Sequence, residues 1–384
     1  MIGISKLYCG LVEDGDHLRY RRRGVSGAEG AAPRPVVVWN CTRRCNLRCE
    51  HCYAGSDGAP GGEELSDAQA RAMIDDLAAF GAPVLLFSGG EPLLRPGVLG
   101  LARHAKQAGL RVVFSTNGTL LTREVASEMA GAGVSYAGIS LDGLAPVNDA
   151  FRGLDGAFER AVTGIRACQA EGVKVGLRLT LTSRNVGELG GIFGLIEREA
   201  IPRACFYHLV PSGRGRVEDA LSHGRTRAAV DEIIDRTAEL HAKGRPVQVL
   251  TVDNHADGPF VQMRMVREGH ARAEEARDLL RLNGGNSAGS SIACVSWNGD
   301  VLPDQFWRSR VLGNVTRRPF SAIWSPGGHE WLMQLRDRRE RLTGRCRRCR
   351  WLTVCNGNLR ARADAAGDVW GDDPACYLTE EEIQ

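Results

Sequence analysis

CTRRCNLRCEHCY, residues 41–53, sets four cysteines within twelve positions directly after the apolar run Pro35-Val36-Val37-Val38-Trp39. Thiols crowded at the end of an apolar strand are a metal-binding signal. Two triplets compete, Cys41/Cys45/Cys49 and Cys45/Cys49/Cys52, and spacing alone does not separate them because both fit one loop. Zinc is the rival metal, but short zinc sites usually use C-x2-C pairs and close the coordination sphere with four ligands.

Outward from this loop, short apolar runs recur at roughly thirty-residue spacing. They are residues 36–39, 83–87, 111–115, 136–141, 175–181 and 205–210. Amphipathic segments fit between most of them. The first has Ser66 as N-cap, Gln69 completing a capping box, and Ala70, Met73, Ile74 and Leu77 on one face. Another carries Val230, Ile233, Ile234, Thr237 and Leu240 on one side. Continuous apolar strands alternating with helices imply an α/β fold with a parallel sheet, here a partial barrel of six units. Active sites of such barrels lie where strands end and loops to helices begin. The residues just past the strands are CTRRCNLRCEHCY, SGGEP, STNG, DG and PSGRGR, so the unusual chemistry gathers at one rim.

The expected organisation is an N-terminal segment (1–34), the partial barrel (35–245), a connecting region (246–290) and a cysteine-rich C-terminal domain (291–384). SIACVSWNGDVLP reads as a hairpin turning at Asn298-Gly299. Hydrophobic content of 43%, charged content of 25% and a net charge of +3 are ordinary for a globular protein and give no nucleic-acid signature. No apolar run is long enough to span a membrane and no secretion signal is evident, so the expected location is the cytoplasm. Twelve cysteines then argue for metal or redox chemistry over disulfides. Cys168 falls on an apolar helix stripe and Cys205 in an apolar strand; both read as core thiols.

CNLRCEHCY, a C-x3-C-x2-C motif followed by an aromatic residue, resembles the radical S-adenosylmethionine (SAM) enzymes. The resemblance implies that Cys45, Cys49 and Cys52 hold three irons of a [4Fe–4S] cluster, leaving Cys41 out and the fourth iron open for SAM. It also implies SAM contacts from Gly89, Gly90 and Glu91 of SGGEP, with Glu91 receiving the methionine ammonium. Ser115, Asn117, Ser140 and Asp142 are expected near the ribose and carboxylate, with Arg152 and Arg178 as carboxylate partners.

GRCRRCRWLTVCNGN and DPAC add Cys346, Cys349, Cys355 and Cys376. Four thiolates suit zinc or a fully ligated [4Fe–4S] cluster. Behind a radical SAM domain they resemble a SPASM/twitch-type extension, which implies one auxiliary [4Fe–4S] cluster. A second would need further thiols where this chain has Pro303-Asp304 and Leu359; Cys294 reads as a leftover or core thiol. Asn356 stands where the resemblance leads one to expect glycine.

MIGISKLYCG, LTVDNHADGP, DQFWRSRVLGNV and DPACYLTEEEI extend the likeness over nearly the whole chain. They resemble radical SAM enzymes that tailor tetrapyrroles, above all the type that deacetylates 12,18-didecarboxysirohaem. That implies an iron tetrapyrrole substrate, loss of two acetates to give Fe-coproporphyrin III, and an electron donor such as ferredoxin or flavodoxin. His208 and His255 are candidate ligands of the substrate iron, and Arg214, Arg216 and Arg308 candidate partners of its carboxylates. The alternatives are propionate removal, as in the haem d1 branch, and peptide maturation by a SPASM-type enzyme.

Overall fold

The computed structural model describes residues 1–20, 34–56, 58 and 63–384; residues 21–33 of the expected N-terminal segment lie outside the described residues. One sheet organises the molecule. Its strands are β1 (Ile2–Gly3), β2 (Val36–Thr42), β3 (Val84–Gly89), β4 (Arg111–Thr116), β5 (Val134–Ser140), β6 (Val175–Leu181), β7 (Arg203–His208), β8 (Gln248–Val252), β9 (Ile292–Val295), β10 (Asp300–Leu302) and β11 (Gly313–Asn314). The order is β1-β8-β7-β6-β5-β4-β3-β2-β9-β10-β11. From β9 through β8 every neighbour pair is parallel, while β1 and the β10–β11 pair close the two edges antiparallel.

The parallel core follows the pattern of the apolar runs, because strands covered by helices bury one face and line the site with the other. Along β2, Val37, Trp39 and Cys41 enter the main core, whereas Val38 packs with Cys294, Leu302 and Leu86 on the inner face. Cys168 is fully buried in the main core, and Cys205 is buried with Leu250 and Val252. The helix Asp67–Phe80 begins with the expected capping box, Ser66 accepting from the Gln69 N–H.

Two differences from the sequence reading matter. Residues 246–290, expected as a connection, carry β8 and the helices Asp257–Arg267 and Ala273–Asn283. β8 extends the parallel sheet beyond β7, and β1 covers its outer edge through Ile2↔Thr251 and Gly3↔Leu250. At the other end the hairpin β9–β10 forms around Asn298-Gly299, and β9 pairs with β2 in parallel, Val38 opposite Cys294. The six expected barrel strands, β2–β7, are therefore flanked by the parallel strands β8 and β9, and the C-terminal part grows from the same sheet.

Candidate active site

Inner-face residues of seven parallel strands meet at one cavity of about 280 Å³. Val36 and Val38 of β2, Leu86 and Ser88 of β3, Ser115 of β4, Ser140 of β5, Arg178 and Thr180 of β6, Tyr207 of β7 and Val252 of β8 line it. The alternation of strand side chains puts these positions on one side of the sheet.

The structure separates the four clustered thiols. Cys45, Cys49 and Cys52 line the cavity; Cys41 is fully buried in the core on the opposite face of β2. The loop is pinned from three directions. Arg48 and Glu50 N–H groups donate to the Arg152 and Phe151 carbonyls (3.2 and 3.0 Å). Glu64 accepts from Thr42 Oγ1 at 2.7 Å and from the Arg43 N–H at 3.1 Å. Arg214 donates through Nε to the Cys49 carbonyl and through a terminal nitrogen to the Ser56 carbonyl, each at 2.8 Å. The Arg214 N–H reaches the Cys52 carbonyl at 3.0 Å.

That last contact depends on Gly213, which has φ +62°; a Cβ there would sit 2.3 Å from the Cys52 carbonyl oxygen. We expect Gly213→Ala to lose about 1–3 kcal/mol of stability and to displace the thiol loop. The measurement is a thermal melt with iron content after anaerobic reconstitution; wild-type values for both would exclude a role for this approach.

SGGEP abuts the same loop. Gly90 and Glu91 N–H groups donate to the Thr42 and Arg44 carbonyls at 2.8 Å, and a Cβ on Gly90 would meet the Arg44 oxygen at 2.1 Å. Gly89 and Gly90 line the cavity, but Glu91 does not. Its carboxylate is fully buried and accepts from Thr116 Oγ1 (2.8 Å), the Asn117 N–H (2.8 Å) and the Leu93 N–H (3.2 Å). Burial pushes this carboxyl up to about 7 despite those donors. Glu91 thus ties the ends of β3 and β4 together beside the thiol loop.

Ser115, Asn117, Ser140, Asp142, Arg152 and Arg178 all line the cavity. Asp142 is spoken for: it pairs with Arg152 at 2.6 Å and His51 at 3.3 Å and accepts from the Thr180 N–H at 2.9 Å. Arg152 also reaches Cys49 Sγ at 3.4 Å. Arg178 donates to Ser115 Oγ at 2.8 Å across β5, a path left open by Gly138, whose Cβ would lie 2.3 Å from Arg178 Nε. Tyr53 closes the loop, its hydroxyl donating to Asn40 Oδ1 at 2.9 Å.

The far half of the cavity carries His208, His255, Asp253, Asp304, Gln305 and Asn286 among apolar walls such as Leu209, Phe306 and Leu359. His208 Nε2 is 2.8 Å from Asp257 Oδ2, and Asp257 Oδ1 accepts from the Tyr377 hydroxyl at 2.7 Å. The N-terminal amine lies 3.5 Å from His255 Nε2. Arg214, Arg216 and Arg308, expected to meet substrate carboxylates, do not line the cavity. Arg214 holds the thiol loop, Arg216 is exposed, and Arg308 donates to the Ala54 carbonyl at 2.7 Å over the Trp297 ring. Sequence reading missed His51, Asp253 and Asp304; His51 alone had a local signal, lying within the cysteine motif.

Cys346, Cys349, Cys355 and Cys376 line a second, small cavity of about 20 Å³. The Cys346 N–H is fixed by Asp372 at 3.0 Å, the Cys376 N–H by the Asp373 carbonyl at 3.0 Å, and the Trp351 N–H approaches Cys349 Sγ at 3.4 Å. Asn356 has φ +58°, a conformation asparagine tolerates. Its side chain donates to the Asn286 carbonyl (2.6 Å) and accepts from Arg339 (2.9 Å), so the asparagine fits where glycine was expected. Among the described residues no three histidine, cysteine or carboxylate side chains are disposed around a single metal ion. Both thiol sets instead edge cavities. Burial pushes Cys45 and Cys346 up to about 12 and Cys376 up to about 11, and a bound cationic metal favours their thiolate form. The donors fit iron–sulfur clusters.

Comparison with known proteins agrees. The Radical SAM superfamily matches residues 39–193, and an iron-sulfur cluster-binding domain, SPASM, matches residues 287–350. Among solved structures, Streptococcus suis SuiB bound to S-adenosylmethionine superposes with a TM-score of 0.71 at 15% identity, over 90% of this chain and 78% of that one. The anSMEcpe structure with bound AdoMet and Cp18Cys peptide gives 0.68 at 18% identity, over 91% and 95%. The class is therefore a radical SAM enzyme with a C-terminal iron–sulfur domain, binding SAM and [4Fe–4S] clusters. "Fe-coproporphyrin III synthase" of Methanosarcina barkeri is 52% identical over 100% of this chain and 99% of its own. "Pre-heme d1 synthase" of Dinoroseobacter shibae is 42% identical over 91% and 88%. "AdoMet-dependent heme synthase" of M. barkeri is 35% identical over 90% and 96%. The chain belongs to this haem-biosynthesis family of radical SAM enzymes. No helix among the described residues is long and apolar enough to cross a membrane.

Proposed function

We propose that the enzyme removes the two ring acetates of 12,18-didecarboxysirohaem, giving Fe-coproporphyrin III. The observation that carries this is the full-length likeness to Fe-coproporphyrin III synthase, joined to one cavity with three thiols at one end and histidines and carboxyls at the other. Cys45, Cys49 and Cys52 are assigned to the SAM-binding [4Fe–4S] cluster; Cys346, Cys349, Cys355 and Cys376 are assigned to the auxiliary one. When bound, the first cluster and SAM supply a 5'-deoxyadenosyl radical for hydrogen abstraction.

This chain's residues position the partners. Gly89, Gly90 and Glu91 are assigned to the methionine end of SAM, and Ser115, Asn117, Ser140 and the Asp142–Arg152 pair line its flank, with Arg178 as a fixed cation for a carboxylate. Of the histidines, His208 is the better candidate ligand for the substrate iron, because a carboxylate partner such as Asp257 orients a ligating imidazole; His255 stands beside the N-terminal amine. Acetates on saturated ring carbons lack carbonyl activation at the bond to be broken. Hydrogen abstraction at the neighbouring propionate-bearing carbon permits scission, forming the ring double bond. Turnover draws on a low-potential electron carrier of the ferredoxin or flavodoxin type in the cytoplasm.

Removal of propionates is the second reading, favoured by the 42% identity to pre-heme d1 synthase. One assay separates them. Anaerobically reconstituted enzyme, with SAM, dithionite and didecarboxysirohaem, is expected to yield a tetrapyrrole lighter by two acetates and to release free acetate. A product that keeps both acetates sinks the proposal.

A further inference from the structure

Fragmentation of the ring–acetate bond leaves an unfinished product. One electron of that bond completes the ring double bond; the other stays on the departing methylene as a carboxymethyl radical. Acetate forms only when this fragment gains one electron and one proton. Resting on the deacetylation reading, we propose that Asp304 is the acid that delivers this proton.

Asp304 follows β10, lines the far half of the main cavity and is only 3% exposed. Its Oδ1 is committed, accepting from the Phe306 and Trp307 N–H groups at 2.9 and 3.0 Å. Its Oδ2 is buried and has no hydrogen-bond partner among the described residues. A proton on this carboxyl therefore resides on Oδ2, the one oxygen left for whatever fills the cavity. Burial pushes the carboxyl up to about 6 against the pull of the two N–H donors. Asp253 shares the wall, an unpartnered Oδ2 and a carboxyl pushed up to about 7, but three cations, the N-terminal ammonium, Arg362 and His208, act on it, whereas Arg338 is the one cation acting on Asp304 among the described residues.

The step balances as follows. The ring carbon–methylene bond breaks homolytically, and a low-potential one-electron donor of the ferredoxin class reduces the fragment. The Oδ2 proton then completes the methyl group of acetate, and the Asp304 carboxylate takes a new proton from water before the second acetate leaves.

The test uses full-length holoenzyme and its Asp304→Asn and Asp304→Glu variants in D2O, with SAM, dithionite and didecarboxysirohaem. Deoxyadenosine, acetate and the deuterium content of the acetate methyl are measured. Wild type is expected to give singly deuterated acetate in step with deoxyadenosine. Asp304→Asn is expected to keep forming deoxyadenosine while singly deuterated acetate falls about a hundredfold, and Asp304→Glu to restore much of it. Labelled acetate at the wild-type rate from Asp304→Asn overturns the proposal. So does parallel loss of deoxyadenosine and acetate that glutamate does not repair. A wild-type enzyme that releases no acetate would instead refute the deacetylation reading itself.

Discussion

A Cys49→Ala chain is expected to lose reductive cleavage of SAM altogether. Deoxyadenosine should fall to background and reconstituted iron from about eight to about four atoms per chain, since each cluster needs its own thiolates. The fold should survive. The loop is held through its backbone, by Arg214 on the Cys49 carbonyl and by the Phe151 and Arg152 carbonyls on its N–H groups, and none of these contacts uses the thiol. Cys41→Ala is the matched control. Its side chain packs in the core, so its removal costs packing, about 1–3 kcal/mol, and leaves cleavage intact. Unchanged deoxyadenosine from Cys49→Ala, or its loss from a folded Cys41→Ala chain, would reverse the choice between the two cysteine triplets.

The second large effect concerns Arg152. Its guanidinium lies 2.6 Å from Asp142 with both side chains under a tenth exposed. Removing one partner of such a pair costs about 3–5 kcal/mol, because the other is left as an uncompensated buried charge. Asp142 retains only His51 and the Thr180 N–H. Arg152→Ala is thus expected to lower the urea midpoint sharply and to weaken SAM binding through the cysteine loop. The double variant Arg152→Ala/Asp142→Ala should recover part of the stability, because no bare carboxylate remains. Lysine at 152 should recover less function than stability, having charge without the fork that spans Asp142 and Cys49. Equal midpoints for wild type and Arg152→Ala would show that the pair contributes nothing.

The parallel core was legible because β2 to β7 are short, largely apolar runs with amphipathic helices between them, and a strand shielded from solvent by helices on one face and a walled cavity on the other carries few charges. β8 was not. It has five residues, follows Pro246 and precedes Asp253, and its place is fixed by pairing with β7 and by β1 from the far end of the sequence. The cysteines announced themselves by spacing, and the polar residues at strand ends by position. Arg214 misled because an arginine donating to backbone carbonyls has the same letter as one awaiting a carboxylate. Asp253 and Asp304 carry no periodic signal; single acids in loops acquire meaning only when distant elements bring them to a common wall. Glu91 was placed at the right edge, but its tie to Thr116 and Asn117 was not readable, since sequence does not tell which donors of a neighbouring strand an acid will meet.

The pairing of β9 alongside β2 makes the two iron–sulfur regions inseparable parts. β2 feeds the thiol loop, and β9 supplies the hydrogen bonds on its flank. A chain stopped after the last barrel helix would leave that strand with a bare row of N–H and carbonyl groups, an invitation to self-association. Dissection of this enzyme into a minimal radical-generating half would thus expose a sticky backbone edge, and the second cluster is better studied by changing its thiols one at a time within the whole chain.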